Sequence, residues 1–231
     1  MQLAIDIGNT AVKWATFEGA TLTESGEWNA GSGEWNAEDI DKALVCASGQ
    51  VPPELEKWPR MSTAMELPIR LDYKTPQTLG PDRVAAACGA WALHRGEDCL
   101  VIDAGTCITV DFLDHKGVYH GGAIMPGIGM NLRALHTFTA KLPLIDIKGV
   151  EKAPVLGRST EESILAGTLG ATLLALAGYV ALYKEKAPNL RVLLTGGDAD
   201  RLIASGATGW EHVPHLTLIG LNEILILKNE N

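Results

Sequence analysis

The sequence contains no Gly-Lys dipeptide, so it has no Walker A phosphate loop, and no G-x-G-x-x-G opens a dinucleotide-binding helix. G-x-S-x-G is missing too, which removes the usual hydrolase nucleophile elbow. The six histidines show no H-x-x-x-H or H-E-x-x-H spacing. The four cysteines (Cys46, Cys88, Cys99, Cys107) form no C-x-x-C. Neither a zinc site nor a disulfide framework is expected, and reduced thiols in a cytoplasm are the simpler reading. Basic residues are scarce: 19 Lys and Arg against 28 Asp and Glu leave a formal net charge of -9, which provides no stripe for a nucleic-acid backbone. Small phosphorylated ligands remain open.

Charge is also absent from one long run. Ser163 to Tyr183 carries none and is about long enough to cross a bilayer, but it is rich in Gly, Ala and Thr and no second span accompanies it. The reading is a buried helix, apolar all round, and no membrane partner. Gly167, Ala171 and Ala175 recur every four residues, so one face carries small side chains and suits close approach of a second helix, as in a homodimer. The opening Met1 to Asp6 lacks the basic start and cleavage site of a signal peptide, so a cytoplasmic location is expected.

What is present begins with an internal echo. Ala4-Ile5-Asp6-Ile7-Gly8-Asn9-Thr10 resembles Val101-Ile102-Asp103-Ala104-Gly105-Thr106. In each copy a β-branched strand ends at Asp-x-Gly, turns through small polar residues and resumes as a second strand (Val12 to Phe17; Ile108 to Leu113). Further strands follow (Thr21 to Ser25; Val118 to Ile124), then helices over Asp82 to His94 and Ile128 to Thr137. A late strand, Arg191 to Thr195, leads through Gly196-Gly197-Asp198 into another helix. This order suggests an α/β fold with mixed sheets and helical cover, built twice, with a boundary near Gly96. The duplicated Gly-Glu-Trp-Asn-Ala (Gly26 to Ala30, Gly33 to Ala37) reads as a lengthened surface loop without chemistry.

Each hairpin tip suits phosphate. Gly8 allows close backbone approach, and the turn N–H groups with Asn9 and Thr10 can surround phosphate oxygens. Asp6 is placed to hold a hydrated Mg²⁺ on those oxygens, and Lys13 adds positive charge about one strand pair away. The bland alternative is an ordinary turn, since Asp, Gly, Asn and Thr are all turn residues. Asp103 to Asp111 repeats the acid and the Gly-Thr turn, and Thr195-Gly196-Gly197-Asp198 adds a third glycine turn before a helix, where Asp198 could equally be a plain N-cap.

Together these loops resemble the two phosphate motifs and the adenosine motif of the acetate-kinase/sugar-kinase/Hsp70/actin superfamily. A narrower resemblance is to the type III pantothenate kinases. It rests on Asp6 to Lys13, Gly80-Pro81-Asp82-Arg83, Asp103 to Asp111, Gly121-Gly122-Ala123-Ile124-Met125-Pro126-Gly127, and Gly157-Arg158-Ser159-Thr160. The resemblance implies two tandem ribonuclease-H-like domains, here 1–96 and 97–231, with ATP in a cleft between them. It implies ATP-dependent phosphorylation of pantothenate to 4′-phosphopantothenate; another kinase of the superfamily and a non-catalytic transcriptional accessory factor are the alternatives. Asp82 reads locally as a helix cap or first-turn acid. By resemblance it is the base that accepts the hydroxyl proton, with Asp111 the next acid to consider. Gly80, Pro81, Arg83, Tyr73 and Thr160 become substrate contacts, Arg83 pairing the pantothenate carboxylate. ATP with Mg²⁺ falls to Asp6, Ile7, Gly8, Asn9, Thr10, Ala11, Val12, Lys13 and Thr106, and a monovalent cation, K⁺ or NH₄⁺, to Asp103, whose other candidate job is a second Mg²⁺ anchor. Cys107 stands where the family usually has Ala.

Overall fold

A strand that is apolar on both faces must be covered on both sides, and the first strand is of this kind: Leu3, Ala4, Ile5 and Ile7 are all fully buried in β1 (Gln2–Ile7). In the computed structural model, which describes residues 1–28, 39–150, 152 and 154–227, β1 lies inside a four-stranded mixed sheet. It is antiparallel to β2 (Val12–Glu18) and parallel to β4 (Lys42–Ala47), and the polar β3 (Thr21–Trp28) forms an edge beyond β2. Leu3, Ile5, Ile7, Trp14, Val45 and Leu55 pack as one apolar layer. The second copy and the end of the first copy of the Gly-Glu-Trp-Asn-Ala repeat lie outside the described residues.

The chain divides into two compact units, Met1–Glu97 with Asp111–Gly121 and His215–Asn231, and Asp98–Val110 with Gly122–Pro214. In the first unit, α1 (Pro81–Leu93) crosses α6 (Leu216–Leu227), and both helices also reach the four-stranded sheet. Their backbones meet at two glycines. A Cβ on Gly220 would lie 1.7 Å from the Ala85 carbonyl oxygen and one on Gly89 2.3 Å from that of Leu216, so a side chain at either position would force the helices apart. The C-terminal helix therefore anchors the helix that carries Asp82 and Arg83. A short strand, β5 (Arg70–Leu71), pairs parallel with Val118 and Tyr119 of β8 (Val118–Pro126).

In the second unit β9 (Arg191–Thr195) runs parallel between β6 (Cys99–Ala104) and β10 (Glu211–His212), and β6 is followed by β7 (Cys107–Leu113). β7 and β8 each continue from one unit into the other. The helices of this unit are α2 (Ile128–Thr137), α3 (Thr160–Leu165), α4 (Ala171–Lys186) and α5 (Ala199–Ser205). α3 and α4 join through a π turn, Ala166–Gly170, into one helix from Thr160 to Lys186.

That helix corrects the expectation of burial all round. By length and composition it could cross a membrane, yet its most apolar stretch is 39% buried in the protein. Ile164, Leu165, Leu169, Leu176 and Val180 face inward, whereas Gly167, Ala171 and Ala175 are exposed and Leu174 is 75% accessible. Both stripes of the helix are apolar, so periodicity carried no contrast that could separate the covered side from the open one.

Candidate active site

The first hairpin is closed by Gly8 N–H donating to the Ala11 carbonyl at 3.0 Å. Beneath it, the amides of Ser48 and Gly49 both donate to the Ile7 carbonyl at 3.0 Å. A Cβ on Gly49 would stand 2.4 Å from the Gly8 carbonyl oxygen, so the support requires glycine there. Gly8 to Val12, with Glu27 and Trp28, line a recess of about 340 Å³. Lys13 stands one strand pair from Asp6, as expected: the two are direct antiparallel partners, and Lys13 is also the register partner of Glu27 on its other side. The three residues therefore share one face in adjacent strands. Among the described residues Lys13 makes no ion pair. Burial first, and then the Lys13 charge, hold the pKa of His215 below its ordinary value. His215 has φ 63° and approaches Ser25 Oγ at 3.4 Å.

Asp82 is not the cap of its helix. Gly80 occupies the N-cap position, Pro81 the first turn position that proline favours, and Asp82 follows as a first-turn acid. Its Oδ1 accepts from the Arg83 amide at 2.9 Å, and among the described residues its Oδ2 makes no hydrogen bond. A Cβ on Gly80 would fall 2.4 Å from Asp82 Oδ1, so this glycine makes room for the carboxylate.

Arg83 turns inward and is only 6% exposed. Its Nε donates to Asp111 Oδ1 and Oδ2 at 3.1 and 3.2 Å, and its Nη2 donates to Oδ1 at 2.5 Å. The buried Tyr119 hydroxyl donates to the same Oδ1 at 2.7 Å. Burial opposes the Arg83 charge, but the hydrogen bonds and charge of Asp111 outweigh it and raise the pKa of the guanidinium. Burial and the neighbouring Asp111 also push the Tyr119 phenol up. Asp111, the fallback proton acceptor on sequence grounds, is committed to this pair and is 1% exposed. Tyr73 stands with its ring 6.1 Å from that of Tyr119. A Cβ on Gly121, whose φ is +83°, would meet the Tyr73 ring at 2.9 Å.

In the second unit the other hairpin is closed by Gly105 N–H on the Cys107 carbonyl at 3.0 Å. Gly127 N–H donates to the Thr106 carbonyl at 3.1 Å, and a Cβ on Gly127 would lie 2.3 Å from the Gly105 oxygen. Asp103 is the register partner of Thr195. The following Gly196, at φ +95°, lies so close that a Cβ would be 2.5 Å from both the Ala104 oxygen and Asp103 Oδ1. Asp198 occupies the N-cap position of α5 but does not cap it. Its amide donates to Ala104 O at 2.9 Å, and its carboxylate pairs with Arg201. Burial raises the pKa of Asp198, and Arg201 opposes that shift. Thr106 and Thr160 are exposed, and Ser159 caps the helix that Thr160 begins, its Oγ accepting from Glu162 N at 3.2 Å.

No three His, Cys, Asp or Glu side chains among the described residues form a group that could hold a metal ion. A single carboxylate at the first hairpin fits Mg²⁺ that arrives on ATP, since that ion is commonly held by one or two carboxylates and the substrate's phosphates. Sequence reasoning missed Tyr119 and gave Asp111 a different use. Strand alternation held the missing signal: Asp111 shares a β7 face with the buried Leu113, and an acid in such a position needs a partner.

Residues 54–182 match the family described as type III pantothenate kinase. The chain is 39% identical to the type III pantothenate kinase of Bacteroides fragilis, over 99% of each chain. It is 35% identical to that of Cytophaga hutchinsonii, over 97% of this chain and 98% of the relative. Among solved structures, one from Campylobacter jejuni described as a Baf family transcriptional activator superposes with a TM-score of 0.65 at 20% identity, covering 99% of this chain and 100% of the other. The activator of 2-hydroxyisocaproyl-CoA dehydratase from Clostridium difficile, with bound ADPNP, gives 0.61 at 15% identity over 99% and 95%. At such identities these two show the fold alone, an α/β fold with mixed sheets of the kind the duplicated hairpins predict. On the match of more than half its length and the near full-length identity to curated relatives, the chain belongs to the type III pantothenate kinase family.

Proposed function

We propose that Asp82, Arg83, Asp6 and Asp103 divide between them the work of the family's reaction, ATP-dependent phosphorylation of pantothenate in coenzyme A biosynthesis. The oxygen of the pantothenate primary hydroxyl attacks the γ-phosphorus, the bond to the ADP oxygen breaks, and the hydroxyl proton passes to Asp82. The observation that carries this reading is the state of the Asp82 carboxylate: Oδ1 is held by the Arg83 amide and Oδ2 has no partner among the described residues. An acid so oriented keeps one lone pair for a substrate proton. Arg83 pairs the pantothenate carboxylate, Gly80 and Pro81 shape the approach to Asp82, and Tyr73 and Thr160 complete the substrate contacts. The hairpin from Asp6 to Lys13 takes the phosphates of ATP with Asp6 on the hydrated Mg²⁺, which supplies charge neutralisation when bound. Thr106 touches phosphate, and Asp103 serves K⁺ or NH₄⁺.

The exposed small-residue face of Gly167, Ala171 and Ala175, with Leu174 beside it, supports a homodimer, and the acidic chain is read as cytoplasmic with neither nucleic acid nor membrane as partner.

The test is Asp82→Asn. The amide keeps an acceptor for the Arg83 N–H, so melting should stay within about 1 kcal/mol of wild type. Turnover should fall by about a hundredfold to ten-thousandfold, the range for loss of a general base. A folded variant that still turns over within about threefold of wild type returns Asp82 to a purely structural role.

A further inference from the structure

Asp111 and Tyr119 have no part in the phosphoryl transfer proposed above, yet they are among the most buried polar groups of the first unit. A carboxylate that is 1% exposed needs strong compensation, and it receives donors from two residues, the Arg83 Nε and Nη2 and the Tyr119 hydroxyl. The pair meets edge to edge, with Nε and Nη2 forming the side of the guanidinium fork that Asp111 occupies. What remains is the opposite end, the Nη1 hydrogens and the outer hydrogen of Nη2, with the Tyr73 side chain close enough that its hydrogen bonding also favours the charged guanidinium. Tyr119 is itself fixed: its carbonyl accepts from the Asp72 amide at 2.9 Å, and Tyr73 stands against its ring. Gly121 leaves the space that Tyr73 fills.

We propose that Asp111 and Tyr119 are positioning residues for substrate recognition, gripping Arg83 by its Nε/Nη2 edge so that it meets the pantothenate carboxylate end-on through Nη1 and Nη2. This rests on the assignment of Arg83 to that carboxylate. Because Asp111 already balances the Arg83 charge, the substrate carboxylate is recognised by the direction of two donors and not by a surplus of positive charge. A guanidinium released from Asp111 gains rotameric freedom and no longer offers a fixed fork. The sign of the effect is diagnostic. If Asp111 served only to neutralise Arg83, removing its charge would strengthen the hold on an anionic substrate; if it positions Arg83, removal weakens that hold.

The experiment compares steady-state kinetics with pantothenate and with its analogue in which a primary alcohol replaces the carboxylate, for wild type, Asp111→Asn, Tyr119→Phe and Arg83→Gln. In Asp111→Asn the preference in kcat/KM for pantothenate over the alcohol should fall by about tenfold or more, the scale of losing a hydrogen bond to a charged group. KM for ATP should change by less than about twofold, because the lost interaction does not touch the nucleotide. Tyr119→Phe should shift the preference the same way by less, and it carries the test if Asp111→Asn does not fold. A purely structural role would depress both substrates alike and leave the preference intact. An unchanged preference in the folded variants, or one moved toward pantothenate, overturns the inference while a collapsed preference in Arg83→Gln keeps the Arg83 assignment. If Arg83→Gln also leaves the preference unchanged, the Arg83 assignment falls and the positioning role falls with it.

Discussion

The hairpins at Asp6 and Asp103 start from nearly the same residues and are held in different ways. Around the first, support comes from below, where the Ser48 and Gly49 amides hold the Ile7 carbonyl, and the turn itself borders an open recess. Its acid has Lys13 as strand partner. The second is gripped by two glycine turns, Gly127 against Gly105 and Gly196 against Ala104, and its acid has the Thr195 hydroxyl residue as strand partner. A repeated motif thus determines a repeated local shape, while the residues around each copy decide how much the tip can yield and which charge it meets. An acid beside a lysine and an open recess suits a ligand that brings its own divalent ion. On the roles proposed above, the acid pressed against a glycine backbone is the one that serves the monovalent ion.

The proposed division of labour between these two acids gives the largest expected effect within this comparison. Asp6→Asn should weaken MgATP by roughly tenfold to a hundredfold, as for loss of a hydrogen bond to a charged group, measured by calorimetry. Asp103→Asn should instead remove activation by K⁺ or NH₄⁺ and disturb MgATP binding less. The comparison breaks if both variants lose nucleotide affinity equally, or if the wild-type enzyme is fully active in potassium-free sodium buffer.

Stability sharpens the difference in grip. Gly196→Ala places a Cβ 2.5 Å from the Ala104 oxygen at a φ of +95°, whereas Gly8→Ala brings one only to 3.3 Å from the Ala11 oxygen. The first substitution should cost about 1–3 kcal/mol, the scale of overpacking. The second should remain within about 1 kcal/mol of wild type, since a less flexible unfolded chain offsets the tighter contact. Denaturant melts of both variants decide this, and equal losses would mean that the two tips are held alike.

The smallest effect concerns charge beside the first hairpin. His215 is held below its ordinary value of 6.5 by burial and then by Lys13. The unfolded chain therefore binds this proton more readily, so the stability linked to neutral His215 is present above pH 6.5 and lost as pH falls through the lower folded value. Lys13→Met should raise the His215 pKa toward 6.5 and flatten that part of the pH profile, as an NMR titration of the imidazole would show. A pKa that does not move would separate Lys13 from His215 electrostatically.

Much of the architecture could be read in advance because its causes are local. The hairpin turns, the strand that ends at Thr195 and the helix over Ile128–Thr137 follow from turn chemistry and apolar spacing. The placement of Asp82 was legible to within one helical position, but Gly80 as the residue that makes room for its carboxylate was not, since that need arises only once the side chain has curled back. The burial of the long helix failed to read for the opposite reason: composition is uniform around it, and only the neighbours of each stripe determine which one is covered.

By itself the sequence determined two acid-bearing glycine hairpins, a third glycine turn, a Gly-Pro-Asp-Arg helix start and an acidic net charge. Each of these depends on residues within a few positions of one another, where backbone geometry and side-chain size suffice. The tertiary structure alone decided that Arg83 joins Asp111, 28 positions away, under the hydroxyl of Tyr119. It also decided that Gly89 and Gly220 let α6 seat α1 backbone to backbone. Such pairings connect segments whose separation along the chain carries no periodic signal, and a buried charge or a side-chain-free contact finds its reason only in the group that folding brings against it.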